Sequence, residues 1–281
     1  MKQVTFFLTI NLIMLNSARF LLVSTYTTKY KIMKKAGILI LGLAFLEAAA
    51  QDQNSSAEKM NMIKTNVTAY AFRNINLSYE RAINRWFSVN IGFGTMPEGK
   101  IPFINAFLKD VDEKRFQNLR VKATNFTIEP RFYVGQGYGK GFYIAPYYRY
   151  SDVSSNTFDF YYDYHGPDGN TYQIPLKGQG KANGNSGGLM VGVQFFLTKS
   201  QNLVLDFWIA GAHYGNGKGD FSMSSDFLLT PDMQAQLKKE IEKLDIPIVD
   251  YTVETNANGA MIKVDGPWAG FRSGLSLGYR F

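Results

Sequence analysis

Residues 272–281 (RSGLSLGYRF) alternate between two kinds of side chain. At every second position the residue is mostly apolar or aromatic, and the positions between them hold arginine, serine or glycine. A period of two is typical of a β-strand whose two faces meet different surroundings. Because chain termini usually fray, an aromatic residue closing such a strand predicts that one face meets lipid and the other a polar interior.

Seven further segments show the same alternation. They are residues 63–71, 74–83, 86–94, 121–134, 142–151, 187–197 and 203–212, and a last strand at 268–281 completes a set of eight. The apolar face of each is rich in Phe, Tyr, Leu and Ile, whereas the other face is mostly Gly, Ser, Asn and Thr with isolated charges. A sheet facing water would hold more Lys and Glu, so the pattern favours a membrane barrel over a secreted sandwich.

The connections between these segments differ in length on the two sides of the predicted barrel. Short turns fall at 84–85, 135–141 and 198–202, and long connections at 95–120, 152–186 and 213–267. Transmembrane barrels have short periplasmic turns and long extracellular loops. The sequence therefore predicts an all-β fold, an eight-stranded antiparallel up-and-down transmembrane barrel with long extracellular loops, both termini in the periplasm and a short helix in the last loop.

The first 50 residues have the features of an export leader. Lys34 and Lys35 precede an apolar run at 36–46, and a small-residue cleavage site ends at Ala50. We expect initiation at Met33, so that residues 1–50 comprise a mis-started leader plus a signal peptide cleaved near Ala50. Residues 51–61 are predicted to form a periplasmic tether, and 62–281 the outer-membrane barrel. The alternative, a membrane anchor at 4–23, is interrupted by two asparagines and an arginine.

Composition excludes several classes of function. The whole chain has 30 Lys and Arg against 23 Asp and Glu, but residues after 50 have 24 against 22. The basic excess thus belongs mainly to the leader, and no nucleic-acid partner is expected. The chain contains no cysteine, which excludes disulfides, thiolate metal sites and a lipid-modified N-terminal cysteine.

Charged residues on the predicted inner face form the main candidate site. They are Glu80, Glu129, Arg131, Arg149, Asp206, Arg272 and Arg280. Eight strands leave an interior just wide enough for side chains, and buried charges must be paired. We therefore predict a salt-bridged, plugged lumen; a gated ion path or a catalytic carboxylate pair is the alternative.

Other candidate chemistry is sparse. His165 and His213 are predicted in or beside extracellular loops, where either one with a nearby acid would suit a lipid A hydrolase or acyltransferase. No metal cluster, nucleotide loop or cofactor site is evident, so no cofactor is expected. Residues 231–244 predict a helix with Thr230 as N-cap and an apolar stripe, which packs on its own loop or docks a partner. Residues 158–162 predict an aromatic strand above the membrane.

The region from 62 to 281 resembles small bacterial outer-membrane β-barrel domain families of mostly uncharacterised function. The resemblance depends on residues 64–66 (KTN), 76–80 (NLSYE), 126–133 (FTIEPRFY) and 274–281 (GLSLGYRF). It implies an eight-stranded barrel and no assigned enzyme activity. It also implies that Tyr279 and Phe281 form the signal read by the barrel-assembly machinery.

We therefore expect a non-enzymatic, monomeric protein of the bacterial outer membrane, surrounded by lipid and lipopolysaccharide. Its extracellular loops would have a structural or surface-binding role, with an unknown surface ligand. The alternatives are a lipid A-modifying hydrolase or acyltransferase and a small porin or channel.

Overall fold

The computed structural model describes residues 59–101, 118–135, 137–243 and 250–281. The predicted leader 1–50, and all but the last residues of the predicted tether, lie outside these ranges. The described residues form eleven strands and one α-helix. The strands are β1 Asn61–Asn66, β2 Ile75–Ala82, β3 Phe87–Gly99, β4 Val121–Val134, β5 Gly141–Ser155, β6 Phe158–His165, β7 Thr171–Phe196, β8 Leu203–Ser224, β9 Asp250–Asn256, β10 Gly259–Pro267 and β11 Gly270–Arg280, and the helix is α1 Pro231–Glu242.

Eight of the strands close into a barrel. Antiparallel pairing runs through β1, β2, β3, β4, β5, β7, β8 and β11, and β11 returns to β1 with Met62 opposite Arg280. Closure leaves no unpaired edge in the ring, which is the usual solution to the exposed edge of a sheet. The predicted all-β, eight-stranded antiparallel barrel is confirmed.

The two faces of the barrel follow the alternation in the sequence. Large apolar side chains on every barrel strand point outward and are solvent-exposed, as Leu77 at 59 %, Phe93 at 53 % and Leu189 at 54 % illustrate. Their strand neighbours Glu80, Asn90 and others face inward and are buried. The outside of the barrel is thus apolar and its inside polar, the reverse of a water-soluble β-barrel.

The two ends of the barrel differ. The end with the turns 83–86 and 197–202, where residues 61 and 281 pair through both backbone hydrogen bonds, is here named the turn end. At the opposite end β7 and β8 continue far beyond the ring, because they have 26 and 22 residues. The predicted long loops at 152–186 and 213–267 are therefore largely strands, and this part of the prediction was wrong.

The prolonged strands build a second sheet on top of the barrel, here named the extension. Its order is β6-β7-β8-β10-β9. The inner face packs aromatic and aliphatic side chains into one core that includes Phe158, Leu176, Phe221 and Ile262. The predicted aromatic strand 158–162 is part of β6, within this sheet. Shared strands make the extension continuous with the barrel wall.

Helix α1 closes the open side of the extension. Thr230 Oγ1 accepts the N-cap hydrogen bond from the Met233 N–H, and Pro231 is the first helical residue, as predicted. Leu237 and Ile241 insert fully buried into the extension core. The observed helix ends at Glu242, whereas the predicted one reached residue 244, which lies outside the described residues. The predicted apolar stripe therefore packs on its own loop region.

A β-bulge interrupts the alternation of β8. Val191 of β7 pairs with Ala210, but the next residue of β7 pairs with Trp208, so Ile209 is an extra residue in β8. The same shift occurs against β11 between Arg272 and Gly274. Because one extra residue exchanges the two faces of a strand, even-numbered residues of β8 face inward below the bulge and odd-numbered ones above it.

Candidate functional site in the barrel lumen

A network of buried ion pairs crosses the barrel between β4 and β8. Arg131 Nη1 lies 2.7 Å from Asp206 Oδ2 and 3.1 Å from Glu80 Oε2, and its Nη2 lies 2.8 Å from Glu129 Oε2. The second oxygen of Glu129 accepts from Arg272 Nη1 at 2.8 Å. Five of the seven predicted inner charges are therefore joined into one chain of contacts.

Lys64 is a member of this network that the sequence analysis did not include. It lies on the inner face of β1 and is 1 % exposed. Its Nζ is 2.5 Å from Glu80 Oε2, 2.8 Å from Asp206 Oδ2 and 2.8 Å from Gln194 Oε1. The alternation predicts that Lys64 faces inward, but its partners on β7 and β8 are brought to it only by closure of the ring.

Neutral donors satisfy the remaining carboxylate oxygens. Tyr133 and Ser88 both donate to Glu80 Oε1 at 2.6 Å, and Tyr143 donates to Asp206 Oδ1 at 2.8 Å. The Arg131 guanidinium also stacks on the Tyr143 ring, with 4.5 Å between Cζ and the ring centroid. With Lys64, Gln194 and Arg272, these side chains link all eight barrel strands through the interior.

Two of the predicted inner charges make other contacts. Arg149 contacts Thr127, with 3.4 Å between Nη1 and Oγ1, and pairs with none of the described carboxylates. Arg280 lies at the turn end, where its guanidinium covers the Phe196 ring at 4.3 Å. The proposed assembly residues Tyr279 and Phe281 are exposed on the outer surface with their rings stacked at 6.5 Å.

The two histidines have different surroundings from those predicted. His213 is not in a loop but on β8, and the bulge turns it into the lumen, where its Nδ1 lies 3.0 Å from Tyr147 Oη. His165 ends β6, and its Nδ1 lies 2.9 Å from Thr171 Oγ1. Neither ring is hydrogen-bonded to a carboxylate among the described residues.

Polar contacts hold α1 against the edge of β6. Gln236 exchanges two hydrogen bonds with the His165 backbone, donating to its carbonyl at 2.9 Å and accepting from its N–H at 3.3 Å. Tyr164 Oη donates to Asp232 Oδ2 at 2.6 Å, and this hydrogen bond raises the pKa of Tyr164. The side chain of Gln236 thus pairs with a strand edge that would otherwise be available to another chain.

The outer face of the extension is polar. Lys181, Lys218 and Lys263 alternate there with Asp220 and Asp265 on neighbouring strands, with Lys181 Nζ 3.6 Å from Asp220 Oδ2. An open groove of about 420 Å³ lies between these side chains and Tyr251 of β9. Such well-exposed pairs contribute little to stability, but they mark a surface in contact with water.

The fold and the interior define an eight-stranded antiparallel β-barrel with an ion-paired lumen and a folded β extension. Comparison of the chain with protein-family models, with curated proteins and with solved structures finds no match. Within the described part of the chain no helix is long and apolar enough to cross a membrane. The same residues contain no cluster of three or more side chains suited to a metal ion.

Proposed function

We propose that this chain is an outer-membrane protein whose barrel is a membrane anchor with a closed lumen, and whose extension contacts a partner outside the cell. The observation that supports it is a change in outer-surface chemistry along single strands. On β7 the outward residue Leu189 is apolar, whereas Lys181 farther along is charged. On β8 the outward residue changes from Ile209 to Lys218.

This change marks the edge of a lipid-facing band. Burying a Lys in the hydrocarbon of a bilayer costs about 2–4 kcal/mol at the midplane of a barrel wall. The rows of lysine and aspartate therefore belong in water, and the apolar rows below them in lipid. The turn end would then face the periplasm and the extension the exterior.

Cysteine labelling tests this orientation without background, because the chain has no native cysteine. Lys218→Cys on the extension should react with a membrane-impermeant maleimide on intact cells. Ser200→Cys at the turn end is the matched control, and it should react only after the outer membrane is permeabilised. Equal labelling of both variants in intact cells, or a soluble periplasmic protein, would refute the proposed placement.

The closed lumen is supported by the network of Lys64, Glu80, Arg131 and Asp206, all at 0 % side-chain exposure. A fully buried ion-pair network that crosses the lumen should block the flow of ions. Planar-bilayer recordings of the purified protein should show no stable conductance of porin size. Large ion-selective channels would favour the alternative of a small porin.

We assign the contact role to the extension because it has a packed core of its own and because, among the described residues, neither histidine ring is hydrogen-bonded to a carboxylate. The lipid A-modifying alternative requires one of them to act with an acid. Mass spectrometry of lipid A from cells with and without the gene distinguishes the two. A change in acylation that is lost in His213→Ala would overturn the non-enzymatic proposal.

A further inference from the structure

Two arginines and a histidine meet in the lumen between the ion-pair network and the extension. Arg149 of β5, His213 of β8 and Arg272 of β11 all point inward. His213 stands between Gly188 and Gly270 on the two neighbouring strands, and Arg272 is opposite Gly211. The space that a side chain on Gly188 would need is taken by Tyr147 and His213, so glycine here lets these two side chains pack against the strand. We name Arg149, His213 and Arg272 the lumen cation group.

The lumen cation group is short of negative charge. Arg272 has one carboxylate partner, Glu129, and that carboxylate is shared with Arg131. Arg149 has a long hydrogen bond to Thr127 and lies within electrostatic range of the same carboxylate, Glu129. His213 is bonded to Tyr147 and lies within electrostatic range of both arginines. A guanidinium away from bulk water without a counter-charge is costly, so this site is electrostatically complementary to an anion.

The group is also accessible from inside the barrel. Arg149 and His213 are half-buried although both face the lumen, and the Arg272 side chain retains 11 % exposure. The residues before and after each of these three face outward from the barrel. The exposed part of each of the three side chains therefore lies in the lumen.

Two aromatic rings hold Arg272 in position. Its Cζ lies 4.8 Å from the Tyr147 ring centroid and 4.7 Å from that of Trp208. Stacking on ring faces leaves the N–H edge of a guanidinium free to donate in its own plane. One N–H group of the Arg272 guanidinium donates to Glu129. The planar arrangement of the others is suited to two parallel hydrogen bonds to an oxyanion.

We propose that the lumen cation group binds a small oxyanion, with inorganic phosphate as the representative ligand. Arg149 and Arg272 supply the charge-assisted hydrogen bonds and His213 a further donor. This inference does not depend on the cellular location of the protein, because the site lies wholly within the barrel.

The test uses the full chain folded in detergent micelles, with phosphate titrated at constant ionic strength. Isothermal titration calorimetry should detect saturable binding, and phosphate should raise the melting temperature. Arg149→Gln should weaken binding at least about tenfold, as expected for loss of a charge-assisted bond. Arg149→Lys should restore part of the affinity. Arg81→Gln, which removes an exposed arginine at the turn end, is the matched control and should bind as the parent does.

A second measurement separates a binding role from a structural one. Without phosphate, Arg149→Gln should melt at the same temperature as the parent or higher, since it removes an uncompensated cation. A lower melting temperature would show that Arg149 is needed for the fold instead. That result, an unchanged phosphate response in Arg149→Gln, or no binding by the parent protein would each overturn the proposal.

Discussion

Arg131 on β4 and Asp206 on β8 meet across the inside of the barrel, with 2.7 Å between Nη1 and Oδ2. The two strands are not neighbours in the ring, so this ion pair spans the lumen instead of following the wall. The barrel is therefore braced through its interior as well as by backbone hydrogen bonds around its circumference.

Removing Arg131 should destabilise the barrel strongly. In Arg131→Met, three buried carboxylates lose a partner, and breaking a buried ion pair in this way costs about 3–5 kcal/mol. Urea unfolding and refolding in lipid vesicles measures the free energy of unfolding. Lys181→Met, which breaks an exposed pair, is the control and should lose no more than about 1 kcal/mol. Equal losses in the two variants would contradict a structural role for the lumen network.

Shortening a buried side chain of α1 should lower the stability of the extension and leave the barrel intact. Leu237 is 1 % exposed in the extension core. Leu237→Ala should cost about 2–5 kcal/mol of local stability through lost burial and a cavity. Hydrogen exchange should rise in β6, β9 and β10, whereas heat-modifiable migration of the barrel on gels should persist. Lys238→Ala on the exposed side of the helix provides the control, and global unfolding in Leu237→Ala would refute this partition.

Two glycines of the lumen should differ sharply in their tolerance of a side chain. A Cβ on Gly184 of β7 would overlap the indole of Trp268, a buried ring above the lumen. A Cβ on Gly92 of β3 would meet Ser78 Cβ at 3.6 Å, an ordinary contact. Gly184→Ala should therefore lower the melting temperature and alter the near-ultraviolet circular dichroism of Trp268, and Gly92→Ala should do neither.

The turn between β6 and β7 should depend on pH. Hydrogen bonds from Tyr172 Oη at 2.5 Å and Asn170 Nδ2 at 2.7 Å hold the pKa of Asp168 below its ordinary value of 3.8. A group with a depressed folded pKa stabilises above the unfolded value and loses this contribution as pH falls through the folded one. Amide exchange of the turn should thus accelerate below pH 3.8. In Asp168→Asn the turn should exchange faster at neutral pH and show no such transition; a transition retained in this variant would point to another group.

The final aromatic residue should matter for assembly more than for stability. The Phe281 backbone pairs with Asn61 in both directions, and this pairing does not require the aromatic ring, which is 48 % exposed. Phe281→Asp should reduce the amount of protein in the outer membrane while refolding in detergent proceeds normally. Phe271→Asp, near the other end of the strand that precedes Phe281, is the control. Normal membrane levels of Phe281→Asp would show that this residue is not part of an assembly signal.

The barrel strands and their two faces were predictable because each strand meets a different medium on each side, and this leaves a local period-two signal. β4 was predicted over its whole length, 121–134. Helix α1 was predictable for a similar local reason, since Thr230 and Pro231 mark its start.

The extension was not predictable from local pattern. Its strand β7 places glycine where a core residue is expected, as at Gly178, whose missing side chain makes room for the rings of Phe158 and Phe221. The apolar atoms of that core are supplied by neighbouring strands, so the alternation along β7 itself is weak. The surroundings of Arg149 could not be predicted either, because they depend on which side chains the closure of the barrel brings near it.

The bulge at Ile209 has a consequence for how this wall can change length. Deleting that one residue would give β8 an unbroken alternation while the pairing above residue 209 stays the same, so His213 would still face the lumen. Changes above the bulge are compatible with the wall when they add or remove residues in pairs, and single steps are compatible only when a second irregularity offsets them. Along β8, length should therefore change in steps of two residues, and loss of the extra residue Ile209 is the single-residue change that keeps the register.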